Sequence, residues 1–153
     1  MDRFDRQLLA ALLENARLSF ADLARRINLS APAVADRVAK LEANGVITGY
    51  HAAIDPSRIG LPIECLIELR IADHDSRRTL EALAQIPQID HCYRVTGDAC
   101  VLMKASLESM EALEALIDQL SQYGASKTSI ILSTPFERRV PAPLLNGNGA
   151  GRR

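Results

Sequence analysis

Charge of either sign in excess is missing from this chain: 18 lysines and arginines stand against 19 aspartates and glutamates, a formal net charge of −1. It therefore has no gross electrostatic footprint for a polyanion, and any affinity for nucleic acid has to come from a local patch. Cysteine is scarce. Cys65, Cys92 and Cys100 are odd in number and widely spaced, which suits neither a disulfide framework nor a metal-ligand set. A reducing cytoplasm fits best. No apolar run approaches the length of a membrane span, and Met1-Asp2-Arg3-Phe4-Asp5-Arg6 lacks the apolar core of a secretory leader, so neither insertion nor secretion is expected. Histidine is limited to His51, His74 and His91, none of them in a constellation with a nucleophile. No phosphate loop, metal motif or catalytic triad occurs, and no catalytic residue, metal ligand or cofactor is assigned. What remains is an average globular composition, 48% hydrophobic and 24% charged over 153 residues, enough for one domain of usual size or two small ones.

The densest local information lies between Ser19 and Tyr50. Ser19 is a good N-cap and Asp22 can reach back to it, which predicts a helix beginning near Phe20 with Leu23, Ala24 and Ile27 on one face. Ala24 is small enough to let another helix cross close by. Asn28 then suits a left-handed corner, with Leu29 packed beneath it. Ser30 caps a further helix with Pro32 in its first turn, and Val34, Val38 and Leu41 recur at i, i+4, i+7 until Asn44-Gly45 ends it. This is a helix-turn-helix pattern, and it leaves Ser30, Ala31, Ala33, Asp36, Arg37 and Lys40 as the residues expected to face a groove of double-stranded DNA. The helix N-terminus can approach a phosphate, Ala33 a thymine methyl, and Arg37 a guanine edge or a phosphate. Arg17, Arg25, Arg26, Arg37 and Lys40 supply a modest patch, opposed by Asp22, Asp36 and Glu42. A first helix over residues 2–15, with Phe4, Leu8, Leu9, Leu12 and Leu13 as its stripe, closes the core beneath, and residues 46–54 read as a short strand or wing.

Turn signals at 55–62 mark a linker between two domains. Beyond it the period becomes two: Ile63, Cys65, Ile67, Leu69 and Ile71 form one strand face, with only Leu66 out of pattern. A helix over 73–86 follows, capped by Asp73 or Asp75 and ended by Pro87. Runs 88–96 and 99–106 read as a hairpin about Gly97-Asp98, with glycine placed for a type II′ turn. Ser109 opens a second helix whose Met110, Leu113, Leu116, Ile117, Leu120 and Tyr123 make a stripe ending at Gly124, and residues 126–134 return to strand. The order β-α-β-β-α-β is the ferredoxin-like arrangement, with helices on one face of an antiparallel sheet. The open face is expected to meet a second sheet in a homodimer. The fold class is thus α+β: a winged helix-turn-helix over 1–54, a linker over 55–62, a ferredoxin-like domain over 63–140 and a flexible tail over 141–153.

Asp5-Arg6-Gln7-Leu8-Leu9, Leu29-Ser30, Val34-Ala35-Asp36-Arg37-Val38, the run from Leu41 through Gly45 to Tyr50, and Thr96-Gly97-Asp98 together resemble the Lrp/AsnC family of feast/famine transcriptional regulators. The resemblance implies a regulator that binds promoter DNA, a homodimer swapping wing contacts and building tetramers or octamers, and a free amino acid bound between dimers. It also implies an effector site at Thr96, Gly97, Asp98, Ala99 and Cys100 together with Ser129, Ile131, Ser133 and Thr134 on the last strand. The family's loop usually reads Gly, any two residues, then Asp; here Cys100 stands at the second acidic position. A thiol is a weak partner for a ligand ammonium, so the effector preference is expected to differ.

Two other functions share this pattern. Siroheme decarboxylases resemble the family in fold but tend to carry basic residues where this chain has Ile47-Thr48-Gly49-Tyr50. An amino-acid-binding protein without DNA affinity is the second, suggested by the weak net charge and by the alanines on the third helix.

Overall fold

The computed structural model describes residues 1–72, 76–137 and 140. The described residues divide into two compact units, those of 1–53 with 136, 137 and 140 and those of 54–135. Asp73, His74, Asp75 and the tail expected over 141–153 lie outside the described residues.

Helix α1 spans Arg3–Glu14. Asp2 starts it, accepting from the backbone N–H of Phe4 at 2.8 Å and of Asp5 at 3.0 Å, while its own N–H donates to the Asp5 carboxylate at 2.8 Å. Two of the orphan donors that every helix start leaves are satisfied in this way. Helix α2, Phe20–Ile27, begins with the same reciprocal pair from Ser19 and Asp22. It stops at Asn28, which is left-handed at φ 56°, ψ 49°. Helix α3, Ala31–Ala43, starts three residues later, with Ser30 Oγ accepting from the Ala33 N–H at 3.3 Å and Pro32 in the first turn. Leu8, Ala11, Leu23, Ala24, Ile27, Val34 and Val38 form the core of this unit, and Leu29 packs under the corner as its spacing predicts.

The corner makes Asn28 a conformational requirement rather than a surface choice. Asn28→Val is expected to destabilise the helical unit by about 1–2 kcal/mol, the usual cost of a β-carbon in left-handed backbone. Asn28→Gly should cost far less, and urea titrations of the two variants compare them directly.

No strand forms over 46–54. The backbone N–H groups of Val46 and Ile47 both donate to the Leu41 carbonyl, at 2.9 and 3.1 Å, and Tyr50 Oη donates to Glu42 Oε1 at 2.8 Å. The backbone of Val46 and Ile47 and the Tyr50 hydroxyl close the end of α3 instead, because strand propensity needs a neighbouring strand to act on. The turn-rich segment that follows holds a short 3-10 helix, Pro56–Ile59, capped by Asp55 and ended at Gly60.

The second unit runs β1 (Ile63–Ile71), α4 (Ser76–Leu83), β2 (Ile89–Arg94), β3 (Val101–Leu107), α5 (Met110–Ser121), β4 (Gly124–Ile130). Its sheet has the order β2-β3-β1-β4 with every neighbour antiparallel. Cys65, Ile67 and Leu69 of β1 and Val101, Met103, Ala105 and Leu107 of β3 pack against Leu83 and Ile86 and against Leu113, Leu116 and Leu120 of α5. Leu66, the residue that breaks the alternation, is 39% exposed on the opposite face. That face also carries Tyr93 and Leu102, paired across β2 and β3, and the ion pairs Lys104–Glu64 at 2.5 Å and Lys127–Glu68 at 3.7 Å.

Several expected boundaries move. The hairpin loop covers six residues, 95–100, rather than a two-residue type II′ turn, because the Cys100 N–H is taken by the Leu69 carbonyl of β1 at 3.1 Å. The second helix ends at Ser121, and Gly124 opens β4 rather than capping the helix. Strand β4 ends at Ile130, so Ile131, Ser133 and Thr134 lie past it.

Candidate functional site

On α3, Val34, Val38 and Leu41 are buried, which turns Asp36 and Lys40 outward with Ser30 exposed at the helix start and Ala33 half-buried on the flank. Asp36 and Lys40 are joined at 2.7 Å one turn apart. Ala31, half-buried in the first turn, packs against the helical core.

Arg37 leans toward the start of α1. Its guanidinium meets Asp2 Oδ2 and Asp5 Oδ1, each at 2.7 Å, and its Cζ lies 5.4 Å from the centre of the Phe4 ring. Hydrogen bonds to Asp5 and then Asp2 hold the guanidinium pKa above its usual value, and Asp2 is correspondingly held below the usual carboxylate range, most strongly by the Asp5 backbone N–H. A groove of about 450 Å³ runs beside this cluster, lined by Ala33, Asp36, Arg37 and Lys40 on one side and by Met1 and Asp5 on the other. Two of the other expected cations are also paired, Arg25 with Asp22 and Arg26 with Glu14, the latter at 3.0 Å. Exposed pairs of this kind contribute little to stability.

The loop at 95–100 is closed by the Val95 N–H on the Cys100 carbonyl at 3.2 Å and gripped by Arg70, whose Nε donates to the Asp98 carbonyl at 3.1 Å. Gly97 sits at φ 110°, a backbone region that favours glycine. Thr96, Asp98 and Cys100 are exposed, and Ala99 is half-buried. Ser129 pairs with Leu66, and the Ile131 N–H donates to the Glu64 carbonyl at 2.8 Å. The loop therefore lies at the Leu69–Arg70 end of β1, whereas Ile131, Ser133 and Thr134 lie at or beyond its Glu64 end. At ~3.4 Å per residue, five residues of strand keep the two groups roughly 17 Å apart. Within one chain they do not share a pocket.

Sequence reasoning missed Arg70 as the loop's anchor and Asp2, Phe4 and Asp5 as the partners of Arg37. Alternation alone places Arg70 on the open face, and helix-dipole reasoning alone explains the acids of the first turn. Neither signal names a partner distant in sequence. Of the histidines, His91 stacks on Tyr93 at 6.0 Å and the His51 ring lies beside Gly49. Among the described residues no helix is long and apolar enough to cross a membrane.

Comparison with known proteins bears directly on this architecture. The family model for the AsnC-type helix-turn-helix domain matches residues 1–42, and that for the Lrp/AsnC ligand binding domain matches residues 64–141. The HTH-type transcriptional regulator LrpC of Bacillus subtilis is 36% identical over 133 residues, 87% of this chain and 92% of its own. Its solved structure superposes with a TM-score of 0.87 over 90% of this chain and 99% of that one, at 35% identity. The structure of Escherichia coli AsnC gives 0.84 at 28% identity, covering 92% of this chain and 97% of that one. A transcriptional regulator from Neisseria meningitidis, solved as an L-Met complex, gives 0.86 at 27% identity, covering 95% and 99%. With both halves matched and the whole architecture shared, the chain belongs to the Lrp/AsnC family of helix-turn-helix transcriptional regulators.

Proposed function

We propose that this regulator works in the cytoplasm by laying α3 into the major groove of promoter DNA, with Ser30, Ala33, Asp36 and Lys40 along the facing surface. The observation that carries this reading is the register of the helix pair: two serine caps and a left-handed Asn28 hold α3 with its outer face uncovered. Salt dependence tests it. The logarithm of affinity for promoter fragments should fall steeply with the logarithm of salt, by about 0.9 per phosphate neutralised. A flat response would favour an amino-acid-binding protein without DNA affinity.

The effector is a free amino acid, a reading supported by the L-Met complex of the Neisseria relative. Its site combines the 95–100 loop of one copy with groups from another, since Ile131, Ser133 and Thr134 lie away from that loop in their own chain. The open sheet face, with Leu66, Tyr93 and Leu102 among its ion pairs, joins two copies, and dimers build tetramers or octamers. Sedimentation with a panel of free amino acids reads both proposals, because an effector bound between copies changes the assembly. The chain is not an enzyme on this reading. Siroheme decarboxylation is disfavoured by the relatives, which are transcriptional regulators, and turnover of added siroheme would revive it.

A further inference from the structure

We propose that Arg37 acts on DNA through position rather than contact: bridged to Asp2 and Asp5, it fastens α3 to the first turn of α1 and sets the angle at which the helix enters the groove. The proposal rests on the reading that α3 faces DNA.

Arg37 is the one α3 cation joined to another helix; Lys40, by contrast, is joined to Asp36 on α3 itself. Its two carboxylates come from positions 2 and 5, three residues apart and therefore neighbours on one face at the start of α1. The same two residues form the reciprocal cap that starts α1, so the cap and the cross-helix bridge are one hydrogen-bonded unit. Phe4 lies beside the bridge, within cation–π range of the guanidinium at 5.4 Å. Only 29% of the Arg37 side chain is exposed, against 69% for Lys40. One guanidinium nitrogen, Nη1, donates to both carboxylates, and α3 cannot roll about its axis without breaking both contacts.

Neutralising the carboxylates separates the two roles by the sign of the effect. If Arg37 touched a phosphate, Asp2→Asn with Asp5→Asn would release it and remove two negative charges, and affinity would rise. If Arg37 positions α3, the same double substitution weakens binding despite the more favourable charge. Asparagine caps a helix about as well as aspartate, so α1 is retained. The expected result at a temperature where circular dichroism shows the helical unit folded is a loss of roughly 5- to 30-fold, the span of one local tether, with the salt slope unchanged. Arg37→Ala should fall in the same range, also without loss of slope, and the triple variant should be no weaker than Arg37→Ala alone. Tighter binding by the double variant, or a slope reduced by about 0.9 in Arg37→Ala, would overturn the assignment in favour of direct contact. Unchanged affinity in both folded variants would overturn it in favour of a purely stabilising bridge. A wild-type protein without salt-dependent DNA binding would instead overturn the reading beneath it.

Discussion

A Gly124→Val chain is expected to lose about 2–6 kcal/mol from the sheet unit, combining left-handed backbone strain with overpacking against main chain. Gly124 opens β4 at φ 150°, opposite Ile71. A β-carbon there would lie 2.0 Å from the Arg70 carbonyl oxygen and 3.1 Å from the Ala72 backbone nitrogen. Both obstacles are backbone, so no side-chain rotation relieves them. Strand β1 would have to part from β4 at the point where the Ala72 N–H also donates to the Tyr123 carbonyl at 3.0 Å. Displacing Arg70 would in turn slacken its hold on the Asp98 carbonyl and the 95–100 loop, so any effector response should decline before the sheet melts. Gly97→Ala is the control, since it carries positive φ but meets nothing within 4 Å. Denaturant titration of both variants tests the argument; a Gly124→Val midpoint matching that of Gly97→Ala would refute it.

The parts of the fold legible in the sequence are those whose causes act over three or four residues. Ser19 with Asp22 and Ser30 with Ala33 are local hydrogen-bonding units, and each starts a helix where the sequence places it. Asn28 identifies a left-handed corner because so few side chains tolerate one. The alternation from Ile63 to Ile71 reads as a strand because one face is buried, and even Leu66 falls where its parity puts it. Misreadings gather where the cause is distant. Residues 46–54 have strand composition but no strand to pair with, the hairpin loop is widened by a bond from β1, and Gly124 answers to a carbonyl more than fifty positions away. The same limit applies to the site. The face of α3 followed from helical period, whereas the engagement of Arg37 depends on α1 and was invisible from α3 alone.

Pairing of this kind also bears on how binding strength arises. With Arg25, Arg26, Arg37 and Lys40 each already facing a carboxylate, these four cations offer little net charge to a phosphate backbone. The alanines of α3 add few base-reading groups. On the proposed function, affinity then comes from several copies held together by their sheet units, because linking sites raises effective concentration without adding any contact.

Leu23→Ala is expected to abolish DNA binding while leaving the sheet unit folded. Leu23 is fully buried in α2, in a core of seven buried residues shared among α1, α2 and α3. Truncating a buried leucine costs about 2–5 kcal/mol through lost transfer energy and the cavity left behind. Small units have little reserve: near fifty residues, total stability is typically no more than about 5 kcal/mol. The substitution therefore consumes most of what holds α3 in place. The sheet unit has its own core, built from Cys65, Ile67, Leu69, Met103, Leu116 and their neighbours, and Leu23 is not part of it. Hydrogen exchange should show early loss of protection across residues 3–43 with protection retained in β1 and β3. Leu23→Met, close in volume, should cost less than about 1.5 kcal/mol and keep DNA binding. Loss of protection in both units together would mean that the two cores fold as one, and full DNA affinity in Leu23→Ala would mean that the helical unit is far more stable than its size implies.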